Sequence, residues 1–248
     1  MDELLKVRGL VKSFEALVAV NEVDFNLSEN EIRAVIGPNG AGKTTFFNLL
    51  TGHLSPTKGK IVFRDEDITR LSPAQISHKG ISRSFQIINI FPNFSALENI
   101  RIAVQSRNRF QNPFIHVSRL KNEKEKAEII MNLVGLEGKA EVVAPNLSHG
   151  DQRHLEIGIA LATDPVLLLL DEPTAGMSPG ETAETAKLIR KIAREEGLTI
   201  IIVEHDMNVV MEVADTITVF HQGSIIAEGS PDEIKKNEKV QEAYLRGV

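Results

Sequence analysis

The sequence predicts an α/β domain built around a mostly parallel β-sheet. Strand-like segments rich in β-branched residues alternate with helix-like segments, which is the pattern of βαβ units. The segments 166–170 and 200–203 are continuously apolar, as strands buried on both faces of a sheet usually are. A glycine-rich loop at 37–42 joins a third strand-like segment to a helix-like one. Together these observations favour a parallel sheet with helices on both faces.

The individual elements follow from the same pattern. Helices are predicted at 44–50 and 181–196, and strands at 31–36, 60–63, 166–170, 199–203 and 217–220. The short alternating strands of the N-terminal third are expected to form an antiparallel β side sheet. The segment from about 96 to 161 breaks the alternation and is predicted to be an inserted helical subdomain. The whole chain, 1–248, is interpreted as a single domain because it contains no internal repeat or obvious linker.

The composition is that of a globular protein and excludes several classes of function. Of the 248 residues, 42% are apolar and 25% are charged. The absence of cysteine excludes disulfides and thiolate metal sites, and the net charge of −6 argues against a nucleic-acid partner. The apolar runs are much shorter than the roughly 20 residues of a membrane span, and the N-terminus lacks signal-peptide features. Any role at a membrane is therefore expected to depend on a partner.

The loop after the strand at 31–36 has the pattern G-x-x-x-x-G-K-[ST], the P-loop that binds nucleotide phosphates. Its glycines let successive N–H groups point inward, and these groups bind phosphate oxygens together with the N-terminus of the following helix. Lys43 is expected to contact the β- and γ-phosphates, and the Thr44 hydroxyl to contact Mg²⁺. A simple glycine-rich turn is the alternative, but the flanking strand and helix favour the phosphate loop. The predicted nucleotide-binding residues here are Gly37, Pro38, Asn39, Gly40, Ala41, Gly42, Lys43, Thr44 and Thr45.

Two acids follow the apolar strand at 166–170, as in a Walker B motif. Asp171 is predicted to hold Mg²⁺, through water, and Glu172 to orient and polarise the attacking water. An ordinary strand end before the turn at Pro173 is the alternative. The P-loop in the same chain favours the catalytic interpretation, so the core is predicted to be that of a P-loop NTPase.

The segment Leu147–Gln152 resembles the signature motif of ABC ATPases, which usually reads L-S-G-G-Q. It lies just upstream of the Walker B strand, as the motif does in that family. His149 replaces the first glycine and Asp151 replaces the glutamine. Ser148 and Asp151 also have the spacing of a helix capping box. The two interpretations are compatible, because a capped helix N-terminus presents N–H groups to a phosphate.

Three further residues match the family in its order along the chain. Phe14 stands where an aromatic ring stacks on adenine, with a core position as the alternative. Gln86 resembles the Q-loop glutamine that senses Mg²⁺ and the attacking water, with a surface amide as the alternative. His205 matches the switch histidine that reaches the γ-phosphate.

The segment Ala175–Ser178 resembles the D-loop of the family. Ser178 departs from it, because the fourth residue of this loop is often aspartate. Ser178, Pro179 and Glu181 also have the pattern of a helix start, with a capping serine, a proline at the first position and a capping glutamate.

The resemblance covers the chain from Leu4 to about Gly247 and implies ATP and Mg²⁺ as cofactors. It implies that two ATPase subunits pair head to tail, so that ATP on one is covered by Ser148 and Gly150 of the other. The catalytic residues it implies are Glu172, His205, Gln86 and Lys43. The metal-binding residues it implies are Thr44, Gln86 and Asp171.

Weaker resemblances concern the transported substrate. The segments 80–86, 90–99 and 242–245 are similar to the ATPases of branched-chain amino-acid importers, specifically the longer, G-type subunit. The long insertion 101–126 suits the same subunit. This resemblance implies two integral membrane permease subunits as partners and, indirectly, a periplasmic substrate-binding protein. The chain itself is then expected to lie peripherally on the cytoplasmic face of the inner membrane.

Several alternatives stay open at this level. Urea and short-chain amide importers and lipopolysaccharide exporters have similar ATPases. A soluble ABC ATPase of translation or DNA repair usually has two nucleotide domains or coiled-coil arms, and this chain has no sustained heptads. A regulator that does not hydrolyse ATP is disfavoured because both Glu172 and His205 are present. Homodimer and heterodimer are both compatible with the sequence, and the basic residues of 101–126 face either solvent or lipid head groups.

Overall fold

The structure, a computed structural model, describes residues 3–84, 90–107 and 121–245. The strands in these ranges are β1 (Glu3–Phe14), β2 (Leu17–Ser28), β3 (Ile32–Ile36), β4 (Lys58–Phe63), β5 (Glu66–Asp67), β6 (Ile81–Arg83), β7 (Leu167–Asp171), β8 (Thr199–Val203), β9 (Thr216–His221) and β10 (Ser224–Gly229). The helices are α1 (Lys43–Leu50), α2 (Pro73–His78), α3 (Ala96–Ser106), α4 (Lys121–Leu133), α5 (His149–Leu161), α6 (Pro179–Glu195), α7 (Met207–Val213), α8 (Pro231–Lys236) and α9 (Glu238–Leu245). Most predicted elements therefore occur within one or two residues of their predicted bounds.

The described strands form two sheets, as predicted. The larger one has the order β10-β9-β3-β8-β7-β6, and its pairs are parallel except for the antiparallel edge strand β10. The smaller sheet has the order β2-β1-β4-β5 and is antiparallel throughout. The predicted mostly parallel core sheet and antiparallel side sheet are both confirmed.

The strands of the side sheet are longer than predicted. β1 and β2 each span 12 residues, where the alternation of apolar residues indicated short strands. Their pairing shifts register several times, for example between Val7 and Leu10. Each shift moves the apolar side chains to the other face, so the two-residue period is broken although the strand continues.

The central strands separate two hydrophobic cores. Leu168, Leu170, Ile200 and Ile202 pack into one core with helices α3 to α9. The alternate residues of the same strands, among them Leu169 and Ile201, pack into a second core with α1 and the side sheet. Because successive side chains of a strand point to opposite faces, both faces must be apolar, which explains the uninterrupted apolar runs.

Helices α3, α4 and α5 pack against one another in the region of the predicted helical subdomain. Asn99 of α3 is fully buried and hydrogen-bonds the backbone of Phe91, Phe94 and Ser95, which fixes the segment that leads into this helix. The division of the chain into a core and an inserted subdomain at about 96–161 stays a prediction. Within the described part of the chain, none of the helices has the length and apolarity that a membrane crossing requires.

The two cores predict a sharp contrast between two isoleucines. Ile202 is fully buried in the central strand β8, whereas Ile129 is 66% exposed on α4. We expect Ile202→Ala to lower the free energy of unfolding by about 2–5 kcal/mol, because it leaves a cavity in a packed sheet. The matched control Ile129→Ala should change it by less than about 0.5 kcal/mol. Urea unfolding curves of both variants measure this, and equal effects would contradict the assigned burial.

Candidate functional site

The phosphate loop lies between the end of β3 and the start of α1. Gly42 precedes the first helical residue and has no side chain with which to cap the helix, so the initial N–H groups of α1 are left to other partners. The Lys43 ammonium folds back over the loop and donates hydrogen bonds to the carbonyl oxygens of Gly37, at 2.6 Å, and Pro38, at 3.1 Å. The loop therefore has the form of an anion cradle with a cation at its centre.

Two glycines of the loop are required by close packing. Gly37 has φ 153° and Gly42 has φ 104°, both in the region that side chains disfavour. A Cβ atom on Gly37 would collide with the carbonyl oxygen of Phe220, and one on Gly42 would collide with that of Ala19. The loop is thus held between β9 and β2, and its shape is fixed before any ligand binds.

The charge of Lys43 is placed beside two acids. Burial lowers the pKa of the Lys43 ammonium from its ordinary value, although the negative charges of Glu172 and Asp171 act to raise it. The side chain is only 6% exposed, so its charge is poorly solvated by water. A polyphosphate would supply the negative charge that this buried cation favours.

The two acids at the end of β7 differ in their surroundings. Asp171 is buried, and its Oδ2 pairs at 2.6 Å with Nη2 of Arg83, which lies at the end of the neighbouring strand β6. Glu172 is the first residue after the strand and has φ 49°, a left-handed conformation that is uncommon for a residue with a side chain. The surrounding structure has to maintain such a conformation.

Glu172 forms a pair with the predicted switch histidine. Nε2 of His205 lies 3.1 Å from Oε1 of Glu172. The two residues follow adjacent parallel strands, since Asp171 of β7 is paired with Val203 of β8. A carboxylate and an imidazole at this distance can orient a water molecule and exchange a proton with it.

A cavity of about 490 Å³ joins these groups to the phosphate loop. The aromatic ring of Phe14, 42% exposed at the end of β1, stands at its wall. The remaining lining residues are Leu17, Val18, Ala19, Asn39, Gly40, Ala41, Gly42, Lys43, Thr44, Thr45, Glu172, His205, Gln222 and Gly223. The sequence predicted most of them, and the structure brings them to one place. Gln86 lies outside the described residues.

The predicted signature segment does not line this cavity. Ser148 caps α5: its Oγ accepts the N–H of Asp151 at 3.1 Å and donates to the Asp151 carboxylate at 2.7 Å. Burial raises the pKa of Asp151, but hydrogen bonds from Lys139 and Ser148 outweigh it, so the pKa lies below its ordinary value. The residue that replaces the usual glutamine is therefore part of the cap of this helix. Gly150 lies in the first turn of the same helix.

The predicted start of α6 is confirmed. Ser178 and Glu181 form a reciprocal capping box, with Pro179 at the first helical position. The departure from aspartate at Ser178 thus has a structural consequence, because the serine caps the helix that follows the D-loop segment.

Some residues of the site were not found by sequence reasoning. Ala19, Gln222 and Gly223 line the cavity because β2 and the β9–β10 turn pack on the phosphate loop, and Gly223 donates its N–H to the carbonyl of Ala41 at 2.9 Å. Arg83 pairs with Asp171 across 88 residues of sequence. Only its position three residues before Gln86 could have drawn attention to it.

Comparisons with known proteins agree with this geometry. A protein-family model described as "ABC transporter" matches residues 20–175, which include the phosphate loop, the signature segment, and both Asp171 and Glu172. The chain belongs to the ABC transporter family. A second family model, described as "Branched-chain amino acid ATP-binding cassette transporter", matches residues 224–245.

ABC relatives resemble this chain over nearly its whole length. The high-affinity branched-chain amino acid transport ATP-binding protein LivG of Salmonella typhimurium is 40% identical over 98% of this chain and 97% of its own. A nucleotide-free ATP-binding cassette from an ABC transporter superposes with a TM-score of 0.84 at 31% identity, covering 98% of this chain and 99% of that one. A dimeric ATP-binding cassette in a post-hydrolysis state, bound to ADP and Pi, superposes with a TM-score of 0.79 at 25% identity, covering 92% and 98%.

Three predictions from the sequence are confirmed by these comparisons. The chain has the ABC ATPase fold, it is an ATP-binding and ATP-hydrolysing subunit of a transporter, and it resembles the ATPases of branched-chain amino-acid importers. The roles of individual residues stay predictions, which substitution can test.

The position of Lys43 predicts that removing its side chain beyond Cβ lowers the affinity for nucleotide. Lys43→Ala should raise the Kd for ATP at least about tenfold, because a buried cation that hydrogen-bonds phosphate is removed. The matched control Lys60→Ala removes an exposed lysine that pairs with Asp67 on the side sheet and should leave the Kd unchanged. Isothermal titration calorimetry of ATP measures both variants, and unaltered affinity in Lys43→Ala would refute the cradle assignment.

Proposed function

We propose that this chain hydrolyses ATP to power the import of branched-chain, hydrophobic amino acids. The observation that carries the proposal is that the Glu172–His205 pair and the phosphate loop line one cavity. The substrate class is supported by the similarity to LivG over nearly the whole chain and by the branched-chain family model at 224–245.

In this proposal the cavity binds the phosphates and the adenine ring of the nucleotide at two different places. Backbone N–H groups of the loop from Asn39 to Thr45 hold the phosphate oxygens, and Lys43 neutralises the β- and γ-phosphates. The adenine ring stacks on Phe14, whose exposed position at the cavity wall suits this contact better than a place in the core.

Mg²⁺ would be held by Thr44 and Asp171, with Gln86 as a further ligand. Hydroxyl and carboxylate oxygens are the donors that this ion prefers. Among the described residues there is no group of three or more His, Asp or Glu side chains that could hold a metal. The few oxygen donors of Thr44, Asp171 and Gln86 suit Mg²⁺, because this ion keeps several waters and binds substrate phosphates rather than an all-protein cage. When bound, the ion would neutralise charge on the β- and γ-phosphates.

Hydrolysis in this proposal depends on positioning and charge neutralisation. Glu172 orients the attacking water and accepts its proton, while His205 contacts the γ-phosphate and holds the Glu172 carboxylate at 3.1 Å. Lys43 stabilises the charge that develops on the phosphoryl oxygens. Each of the three groups faces the same cavity, so no rearrangement of strands is needed to assemble them.

The site is proposed to be completed by a second ATPase subunit. Ser148 and Gly150 do not line the cavity of their own chain, but they lie at the N-terminus of α5, where N–H groups favour an anion. In a head-to-tail dimer they would cover the γ-phosphate bound to the partner. The dimeric state of an ABC relative supports the pairing of two such subunits. Two membrane permease subunits and a periplasmic binding protein would complete the importer, with this chain on the cytoplasmic face of the membrane.

The catalytic assignment predicts a trapped state. Glu172→Gln keeps the size and polarity of the side chain but removes the base, so ATP hydrolysis should fall at least about 100-fold while ATP binding persists. Because the γ-phosphate then remains, the ATP-bound dimer should accumulate. Phosphate release and size-exclusion chromatography with ATP measure the two effects.

Glu195→Gln, at the end of α6, provides the control and should hydrolyse ATP at the original rate. Hydrolysis by Glu172→Gln at more than about a tenth of the original rate would remove Glu172 from the role of base.

The substrate assignment predicts a selective transport defect. In cells whose own copy carries Glu172→Gln, uptake of radiolabelled leucine, isoleucine and valine should fall severalfold, because the permeases lose their energy source. Urea uptake and lipopolysaccharide export should continue at their original rates. A defect in urea uptake with intact leucine uptake would assign the chain to an amide importer instead.

A further inference from the structure

Glu204 is a buried carboxylate that the proposed mechanism does not use. It lies between the last residue of β8 and His205 and is only 4% exposed. A buried carboxylate is costly unless its oxygens accept hydrogen bonds or pair with a cation. The partners of this side chain therefore indicate what it does.

The two oxygens of Glu204 contact the loops that follow two different strands. Oε1 accepts hydrogen bonds from the backbone N–H of Thr174, at 2.9 Å, and from its Oγ1, at 2.6 Å. Oε2 accepts the backbone N–H of His205 at 3.0 Å. Glu204 thus ties the loop after β7 to the loop after β8.

Both tied loops carry a member of the catalytic pair. Thr174 is two residues after Glu172, inside a turn closed by a hydrogen bond from the N–H of Ala175 to the carbonyl of Glu172 at 3.1 Å. Glu172 itself has φ 49°, a conformation that is unfavourable for a residue with a side chain and is stabilised by surrounding contacts. The hydrogen bonds to Thr174 supply such contacts on the side of the turn that faces β8.

We propose that Glu204 is a positioning residue that fixes Glu172 and His205 relative to each other. It acts through the Thr174 turn and the His205 backbone and does not touch the nucleotide. The inference rests on the proposed function, because it assigns to Glu204 the geometry on which hydrolysis depends. A carboxylate suits the role because it accepts hydrogen bonds at both oxygens, whereas an amide of the same size would direct a donor toward one of the N–H groups.

The first test is Glu204→Gln in the full chain. We expect kcat for ATP hydrolysis to fall at least about tenfold while KM for ATP stays within about threefold, because the phosphate loop is untouched. The control Glu31→Gln removes a partly buried carboxylate far from the site, which accepts the N–H of Ser28 at 3.0 Å and pairs with Arg33 at 2.6 Å. It should leave kcat within about twofold. A folded Glu204→Gln with unchanged kcat would overturn the inference.

A second variant tests the contact between Glu204 and Thr174 by changing Thr174. It keeps the inference testable if Glu204→Gln does not fold. Thr174→Val keeps the shape of the residue and removes only the Oγ1 hydrogen bond to Glu204. We expect kcat to fall about three- to tenfold at unchanged KM. In the double variant the two losses should not multiply, since both break one interaction. Losses that multiply, or a folded Thr174→Val with unchanged kcat, would count against the proposal.

A spectroscopic readout separates this inference from the proposed function. The NMR signal of the His205 imidazole ring can be assigned as the one missing from His205→Ala. Its chemical shift should change in nucleotide-free Glu204→Gln and stay the same in Glu31→Gln. An unmoved His205 signal would overturn the positioning role. Failure of the unaltered chain to hydrolyse ATP would overturn the proposed function instead, and the His205 signal would still decide the role of Glu204.

Discussion

The parallel register of β3, β8 and β7 is the constraint on which the rest of the site depends. Val203 of β8 is paired with Val35 on one side and with Asp171 on the other, so the three strands end at one edge of the sheet. The phosphate loop, the two acids and the switch histidine each follow one of these ends. In parallel sheets this edge is where ligands bind, because the loops there converge and the helices begin with free N–H groups.

Burial determines how the polar groups of this edge are used. Asp171 and Glu204 are buried where charge is poorly solvated, and both have partners: Asp171 pairs with Arg83, and Glu204 accepts donors from two loops. Lys43 is held by backbone carbonyls of its own loop. A network of this kind resists rearrangement, because breaking one contact leaves a buried polar group unsatisfied.

The sequence was most informative where chemistry and fold are local. The strand, glycine loop and helix from Ile32 to Leu50 are consecutive in sequence. The buried strands could be predicted because their residues are continuously apolar. Contacts between distant segments could not be predicted in this way: Arg83 and Asp171 are 88 positions apart, and Glu204 and Thr174 are 30 apart. The length of β1 and β2 was also missed, since their register shifts erase the apolar alternation on which a strand prediction relies.

The packing of Gly37 and Gly42 against Phe220 and Ala19 affects how active and inactive related sequences can be told apart. Both glycines are demanded by neighbouring backbone, and this demand exists whether or not a nucleotide is ever hydrolysed. A descendant that had lost its enzymatic activity would therefore retain the glycine pattern for the sake of folding. Glu172 and His205 act through their side chains, so they, rather than the loop, are the positions that distinguish a working ATPase from an inactive copy.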